Sequence, residues 1–314
     1  MSVAFIFPGQ GSQAVGMGAE LAKAYAPARA VFSEVDEALD QPLSKLMWEG
    51  PEDQLTLTEN AQPALMAVSL AAIRTLHQEK GIELNKRVAF VAGHSLGEYS
   101  ALAAAGALSL ADTARLLKTR GRAMQIAVPV GKGAMAALLG AEFAQAQELA
   151  KAAGDGEVCA AANDNAPGQV VISGTRSAIE RAVALAPKFG ARRAMLLPVS
   201  APFHCALMQP AAEAMQEALS RVKIASPSVP IVANVLASAI SDPEAIRARL
   251  AEQVTGMVRW RESMLYLGDQ GVTTVYEVGA GRVLTGLARR FDGFAASSIG
   301  TPDELEAAAA KLQA

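Results

Sequence analysis

Residues 88–108, VAFVAGHSLGEYSALAAAGAL, decide the fold. An apolar run ends in Gly93-His94-Ser95-Leu96-Gly97, a G-x-S-x-G, and small residues at helical spacing follow. Strand, sharp turn and helix in that order form the setting of a nucleophile elbow, which lifts a serine hydroxyl to the apex of the turn. The same residues also suit a tight strand-helix turn in which Ser95 is only a helix cap. The stretch alone leaves both readings standing.

Outward from this stretch the pattern alternates. Residues 3–7 are a short β-type run that stops at Pro8-Gly9, a turn signal. Helical spacing follows over 17–25, 28–39 and 61–80, a buried strand over 87–92, then the Ser95 turn with a helix to 105 and another over 111–127. Strands alternating with helices predict an α/β fold with a parallel sheet covered on both faces.

The middle reads differently. Strand-like 133–139, helical 142–153, strand-like 157–162 and 169–173, helical 177–189 and strand-like 192–199 give the order βαββαβ, a ferredoxin-like unit. Pro129, Gly131, Gly133 and Pro198 mark its edges as those of an inserted subdomain, 129–198. Residues 1–128 and 199–314 then form one discontinuous α/β domain. In the second part the pattern predicts a helix over 207–222, a short strand over 231–234 and helices over 243–254 and 259–270. A strand over 274–278 stops at GAGRVLTGL, another strand-turn-helix unit, and 302–312 is a helix or a frayed end.

Composition narrows the function. The 314 residues carry a net charge of −3, whereas a nucleic-acid binder wants a strongly basic face, so no nucleic-acid partner is expected. With 51% hydrophobic and 19% charged residues, a membrane span has to be considered. The longest uncharged runs, 1–19 and 194–212, contain four glycines with a proline, and three prolines with a histidine. Neither makes a continuous apolar helix across a bilayer, and 1–19 lacks the basic start and unbroken apolar core of a signal peptide. The expectation is a cytoplasmic, monomeric protein with no membrane association. Cys159 and Cys205 are far apart and read as small buried residues of a reducing compartment. With three histidines and no C-x-x-C or H-E-x-x-H, no metal site is expected.

A nucleophilic serine needs a base. His77 sits in a polar helical stretch, TLHQE, and reads as a solvated surface residue. His94 adjoins Ser95, and neighbouring side chains on a sharp turn point apart, so it would line the site rather than take the serine proton. His204, in LPVSAPFHCALM, follows two prolines that stiffen its loop. By elimination it is the best base if Ser95 is a nucleophile; its bland alternative is a helix-start histidine. The order Ser…His fits hydrolase-type chemistry, with an acid normally between them. Asp112, Asp155 and Asp164 are the candidates in that interval, none in a convincing strand-end setting, and a backbone carbonyl orienting the base is the alternative.

Two further features carry alternatives. Gly9-Gln10-Gly11-Ser12-Gln13-Ala14 formally matches the dinucleotide fingerprint G-x-G-x-x-A, but Glu34 and Asp36, at the distance of the ribose acid, fall in a helical pattern. The same glycines would expose a backbone N–H that, with that of Leu96, makes an oxyanion hole. Arg120, in LLKTRGRAM, is expected near a helix end, either as a solvated cation favoured by the helix dipole or as a clamp for a substrate carboxylate.

Taken together, FIFPGQGSQ, GHSLGEYSAL, RGRAMQ, GAMAALLG, NDNAPGQVVISG, PVSAPFHCALM and YEVGAGRVLTGL, in that order from Val3 to about Arg290, resemble the malonyl-CoA:acyl-carrier-protein transacylases of type II fatty acid synthesis. The resemblance implies a hydrolase-like α/β domain carrying a ferredoxin-like subdomain. It implies that Ser95 is acylated by malonyl-CoA and that His204 is its base, held through the backbone carbonyl of Gln253. The oxyanion donors match the N–H groups of Gln10 and Leu96, and Arg120 matches the arginine that binds the malonyl carboxylate. Phe203 would shape the acyl site, with Asn163, Asn165 and His94 lining it. The implied acceptor is the phosphopantetheine thiol of acyl carrier protein, a transient partner, with no cofactor. Where the family often shows Asn-Pro ahead of a tryptophan, this chain has Gly256-Met257-Val258-Arg259-Trp260.

Three rivals share parts of this reading. A serine esterase or thioesterase would use Ser95 and His204 with water as acceptor and without need of Arg120. An acyltransferase serving a polyketide line or a malonate decarboxylase would keep every residue, although a chain without a fused carrier domain favours fatty acid synthesis. A nucleotide-binding protein resting on Gly9–Ala14 would bind a dinucleotide and never be acylated.

Overall fold

The computed structural model describes residues 2–199 and 201–313. Among the described residues ten strands make two sheets. The larger holds β1 (Ser2–Phe7), β2 (Phe90–Gly93), β7 (Ile231–Ala233), β8 (Ser238–Ile240), β9 (Val272–Val278) and β10 (Ala295–Ile299) in the order β10-β9-β1-β2-β7-β8. All neighbours are parallel except β8, which runs antiparallel to β7 at one edge. The period of two along β1 divides the core. Phe5 and Phe7 face a cluster built with the helices Ala26–Leu39, Thr58–Lys80 and Leu110–Ile126, while Ala4 and Ile6 face one built with Trp260, Met264 and Leu284. A central strand buried on both faces must be apolar throughout, as the run AFIF is.

The smaller sheet holds β3 (Gly133–Leu139), β4 (Cys159–Ala166), β5 (Gln169–Thr175) and β6 (Arg193–Leu196), in the order β4-β5-β3-β6 and antiparallel throughout. With the helices Phe143–Gly154 and Arg176–Leu185 it forms the βαββαβ unit. Ala136, Leu138, Val170 and Ile172 bury one sheet face under those helices, in a cluster of their own. Met135, Ala137 and Val171, on the alternate positions, join the main core. The unit therefore sits sheet-inward on the larger domain, with β3 facing the elbow region.

Several boundaries differ from the sequence pattern. The strand before the elbow begins at Phe90, because Leu84–Arg87 close a short helix. Helices Leu43–Glu49 and Glu52–Thr56 and strands β8 and β10 are additions. β10 reads AASSI, with one large apolar residue to signal it. The helix bearing Arg120 runs on to Ile126, so Arg120 is an interior residue and not a terminal one. Gly121 permits this, since a Cβ there would lie 2.6 Å from the Thr58 carbonyl oxygen. Residues 9–18 are turns and irregular backbone and the first helix opens at Ala19, so the glycines do not lead straight into a helix as a dinucleotide fingerprint requires. No described helix is long and apolar enough to cross a membrane.

Candidate active site

Ser95 follows β2 with φ 53°, the left-handed region that a residue with a Cβ rarely adopts. Both motif glycines are forced by close approach. A Cβ on Gly93 would lie 2.0 Å from the Gly97 carbonyl, and one on Gly97 would lie 2.2 Å from the Phe7 carbonyl oxygen. Asn234, just past β7, holds the strained turn from both sides. Its Oδ1 accepts the Ser95 N–H at 2.8 Å, and its Nδ2 donates to the Gly93 carbonyl at 2.7 Å.

His204 also has positive φ, 57°, and its Nε2 lies 2.8 Å from Ser95 Oγ. Its Nδ1 lies 2.9 Å from the Gln253 carbonyl oxygen and 3.0 Å from that of Gly256. Two carbonyls can only accept, so Nδ1 carries the proton and Nε2 is the free lone pair that receives the Ser95 hydroxyl. Burial, reinforced by the Arg120 charge, pushes the His204 pKa down to about 3. The imidazole is therefore neutral, as a base must be. Asp112 caps its own helix with Ser109, Asp155 sits at the end of Phe143–Gly154, and Asp164 pairs with Arg261. None of the three is bonded to His204.

Arg120 is buried. Its Nη2 donates to Ser95 Oγ at 3.0 Å and to Gln253 Oε1 at 2.8 Å, and its Nη1 donates to Gln62 Oε1 at 2.8 Å. The guanidinium lies 5.7 Å from the Tyr99 ring centre. Every hydrogen-bond acceptor on it is neutral, and its Nε has no partner among the described residues. A buried guanidinium whose bonds all go to uncharged groups retains its appetite for an anion.

These groups open on a cleft of about 470 Å³ lined also by Gln10, Leu96, Phe203, Asn163 and Met135. Among the described residues no group takes the N–H of Gln10 or Leu96. His94 lines the cleft, with Nε2 2.8 Å from Asn165 Oδ1 and its ring 5.5 Å from that of Trp260. Burial holds its pKa below the ordinary range. Asn165 thus meets His94 and is not itself on the cleft wall. The Asn163 segment is tied to the loop behind His204, for Asp164 N donates to Val258 O at 3.0 Å and Val258 N to Ala162 O at 2.9 Å. Exposed His77 lies apart, on the helix Thr58–Lys80.

Sequence reasoning missed Gln62, Glu98 and Asn234. Glu98 follows the motif in the first turn of the elbow helix, where an acidic residue is ordinary, so its burial gave no signal. Among the described residues no cluster of three or more His, Cys, Asp or Glu side chains could hold a metal ion.

A serine at a strand-helix elbow, a neutral histidine on its oxygen and a buried arginine beside both define an acyl-transfer site on an α/β fold. Residues 4–291 accordingly match the acyl transferase domain family. The chain is 45% identical over 306 residues to the malonyl CoA-acyl carrier protein transacylase of Escherichia coli strain K12, covering 97% of this chain and 98% of that protein. The crystal structure of the acyl-carrier-protein-S-malonyltransferase from Bartonella henselae is 55% identical, covers all of both chains and superposes with a TM-score of 0.97. A malonyl-transacylase solved in complex with a type II PKS acyl-carrier protein is 40% identical, over 99% of this chain and 100% of that one, with a TM-score of 0.95. The chain belongs to the malonyl CoA-acyl carrier protein transacylases.

Proposed function

We propose that this protein moves the malonyl group of malonyl-CoA to the phosphopantetheine thiol of acyl carrier protein through a malonyl ester on Ser95. One observation carries the reading: nucleophile, base and carboxylate-seeking cation meet on a single atom, Ser95 Oγ, 2.8 Å from His204 Nε2 and 3.0 Å from Arg120 Nη2.

The thioester carbonyl lies in the cleft with its oxygen on the N–H groups of Gln10 and Leu96. His204 Nε2 takes the Ser95 proton as Oγ attacks the carbonyl carbon. The tetrahedral oxyanion collapses, the C–S bond breaks, and the departing thiolate takes the proton back from Nε2. The second half repeats these steps with the carrier thiol as attacker and Ser95 as leaving group. A thioester is reactive enough that an imidazole oriented by two carbonyls serves without a carboxylate. Charge and atoms balance with no redox step, so no cofactor is required. Arg120 pairs with the free malonyl carboxylate and so selects the donor. Phe203, Asn163 and His94 bound the acyl space, and Asn165 fixes His94. The division into 1–128 with 199–314 and an inserted 129–198 is supported by the separate core beneath the small sheet.

Intact mass after mixing with malonyl-CoA tests the reading. Wild type should gain one malonyl group, lose it to carrier thiol far faster than to water, and gain nothing as Ser95→Ala. A mass gain in the alanine variant would overturn the nucleophile, and loss to water at the thiol's rate would make the protein a hydrolase.

A further inference from the structure

Beside the site, yet off the cleft wall, lies a buried carboxylate that the reaction above does not use. Glu98 is 2% exposed. Its Oε2 accepts from Gln253 Nε2 at 2.7 Å and from the Asn234 N–H at 3.2 Å. Those two residues come from separate segments, one just past β7 and the other at the end of the helix Pro243–Glu252. Both reach the reacting groups: Asn234 holds the Ser95 turn, and Gln253 touches three partners at once. Its backbone carbonyl accepts from His204 Nδ1, its Oε1 accepts from Arg120 Nη2, and its Nε2 also donates to the Ser95 carbonyl at 2.9 Å.

The two ends of an amide have nearly the same shape, so packing alone does not choose which faces Arg120. Hydrogen bonding chooses. On one side stand two acceptors, Glu98 Oε2 and the Ser95 carbonyl, which require the NH2 end. On the other stands the Arg120 donor, which requires the oxygen. A flipped amide would set NH2 against guanidinium and cost Arg120 one of its two amide acceptors. The Gln253 amide is thus a polar spacer between a buried anion and a buried cation. Burial pushes the Glu98 carboxyl up to about 7, against the pull of Gln253, Asn234 and the Arg120 charge. A carboxyl kept there against such a cost marks it as a part of the Arg120 machinery rather than of the apolar core.

We infer that Glu98 is a positioning residue for donor selection: through the Gln253 amide it fixes the Arg120 guanidinium in the orientation that reads a donor's carboxylate. The inference rests on the proposed malonyl transfer and adds to it a residue that touches neither substrate nor Ser95 Oγ.

The test is kcat/KM for malonyl-CoA and for acetyl-CoA, with melting temperature alongside, in wild type, Glu98→Ala, Glu98→Gln, Gln253→Met and Arg120→Ala. Glu98→Gln keeps a carbonyl acceptor for both donors and should hold the malonyl-to-acetyl ratio within about threefold of wild type. Glu98→Ala removes a bond of the charge-assisted kind and should lower that ratio by roughly tenfold or more, mainly through KM for malonyl-CoA. Gln253→Met removes the amide while leaving Glu98 and the backbone carbonyl in place. It should lower the ratio similarly, and it carries the test should Glu98→Ala fail to fold. Parallel losses for both donors in Glu98→Ala or Gln253→Met, with the ratio unchanged, would overturn the inference and leave Glu98 a support of the fold. Arg120→Ala separates the two levels. A wild type that is never malonylated defeats the proposed function itself, an Arg120→Ala that keeps the preference defeats the carboxylate clamp and with it the role of Glu98, and loss of preference in Arg120→Ala alone defeats only the role of Glu98.

Discussion

Arg120 Nη2 lies 3.0 Å from Ser95 Oγ, inside hydrogen-bond reach of the atom that His204 also holds. A buried cation at that distance favours the serine oxygen as it gains negative charge. It also depresses the basicity of His204, whose pKa falls first through burial and then through this charge. A carboxylate arriving on the guanidinium would screen the cation and so relieve part of that depression. In the proposed reaction the donor's charge is thereby coupled to the base that takes the Ser95 proton.

Removing Arg120 should therefore hurt the donors unequally. In Arg120→Ala, kcat/KM for malonyl-CoA should fall roughly a thousandfold, on the order of 4 kcal/mol, as expected when one side of a buried charge pair is lost. Acetyl-CoA should lose little or gain, because the unpaired cation that penalised it is gone. Lysine should rescue poorly, having no planar fork to match a carboxylate. Equal losses for both donors would show that Arg120 serves only the fold.

The His204 shift sets a pH signature. An ordinary histidine would protonate near pH 6.5 and abolish base catalysis below it. With its pKa pushed down to about 3, His204 stays neutral, and Glu98, pushed up to about 7, is the nearby group left to titrate near neutrality. The acylation half-reaction of Glu98→Gln should thus keep a flat kcat/KM between about pH 8 and 5, which reports the free enzyme. An inflection near 6.5 in that variant would refute the depressed histidine. In the same variant, where Glu98 no longer titrates with the opposite sign, the unfolded chain binds the His204 proton and the folded one does not, so this histidine weakens folding as pH falls from about 6.5 toward 3.

How much of this was legible depended on sequence distance. The elbow was readable because strand, turn and helix are contiguous in 88–108. His204 was reachable because the chain has three histidines to choose among. The burial of Arg120 was not readable, since its partners Gln62 and Gln253 lie 58 and 133 residues away and the local sequence, LLKTRGRAM, looks like a polar helix face. Glu98 was hidden for the opposite reason, being at home in a helix's first turn. In the fold, the apolar runs of β1 and β9 announced themselves, whereas β10 is an edge strand of small residues whose position rests on pairing with β9.

Two glycine substitutions should have opposite effects. Gly97→Ala drives a Cβ to 2.2 Å from the Phe7 carbonyl oxygen, backbone against backbone, which no rotamer relieves. It should cost about 3 kcal/mol or more and abolish acylation with it. Gly286 lies in the exposed face of the helix Val283–Ala288, with nothing within 4 Å of an added Cβ, so Gly286→Ala should stabilise by about 0.5–1 kcal/mol. Denaturant unfolding of both variants checks the pair, and a tolerated Gly97→Ala would contradict the close approach that shapes the elbow.

Phe203 should decide the fate of branched donors. It precedes His204, is 8% exposed and shares the cleft wall with Ser95, Arg120 and Met135. With the carboxylate tied to Arg120 and the carbonyl carbon at Ser95 Oγ, the α-carbon of the donor is confined between two fixed ends. An α-methyl group then has to enter the space that the Phe203 ring fills. One methyl group in a tight apolar site is worth about 1–3 kcal/mol of discrimination, so methylmalonyl-CoA should be roughly 10–200-fold poorer than malonyl-CoA. Phe203→Ser should narrow that gap by opening the ring's volume while leaving Arg120 its carboxylate, so malonyl transfer should fall far less than in Arg120→Ala. Competition between the two donors, read by intact mass of the acyl-enzyme, measures the ratio directly. If Phe203→Ser leaves it unchanged, the α-carbon lies against another wall, with Met124 and Met135, which also line the cleft, next to be varied.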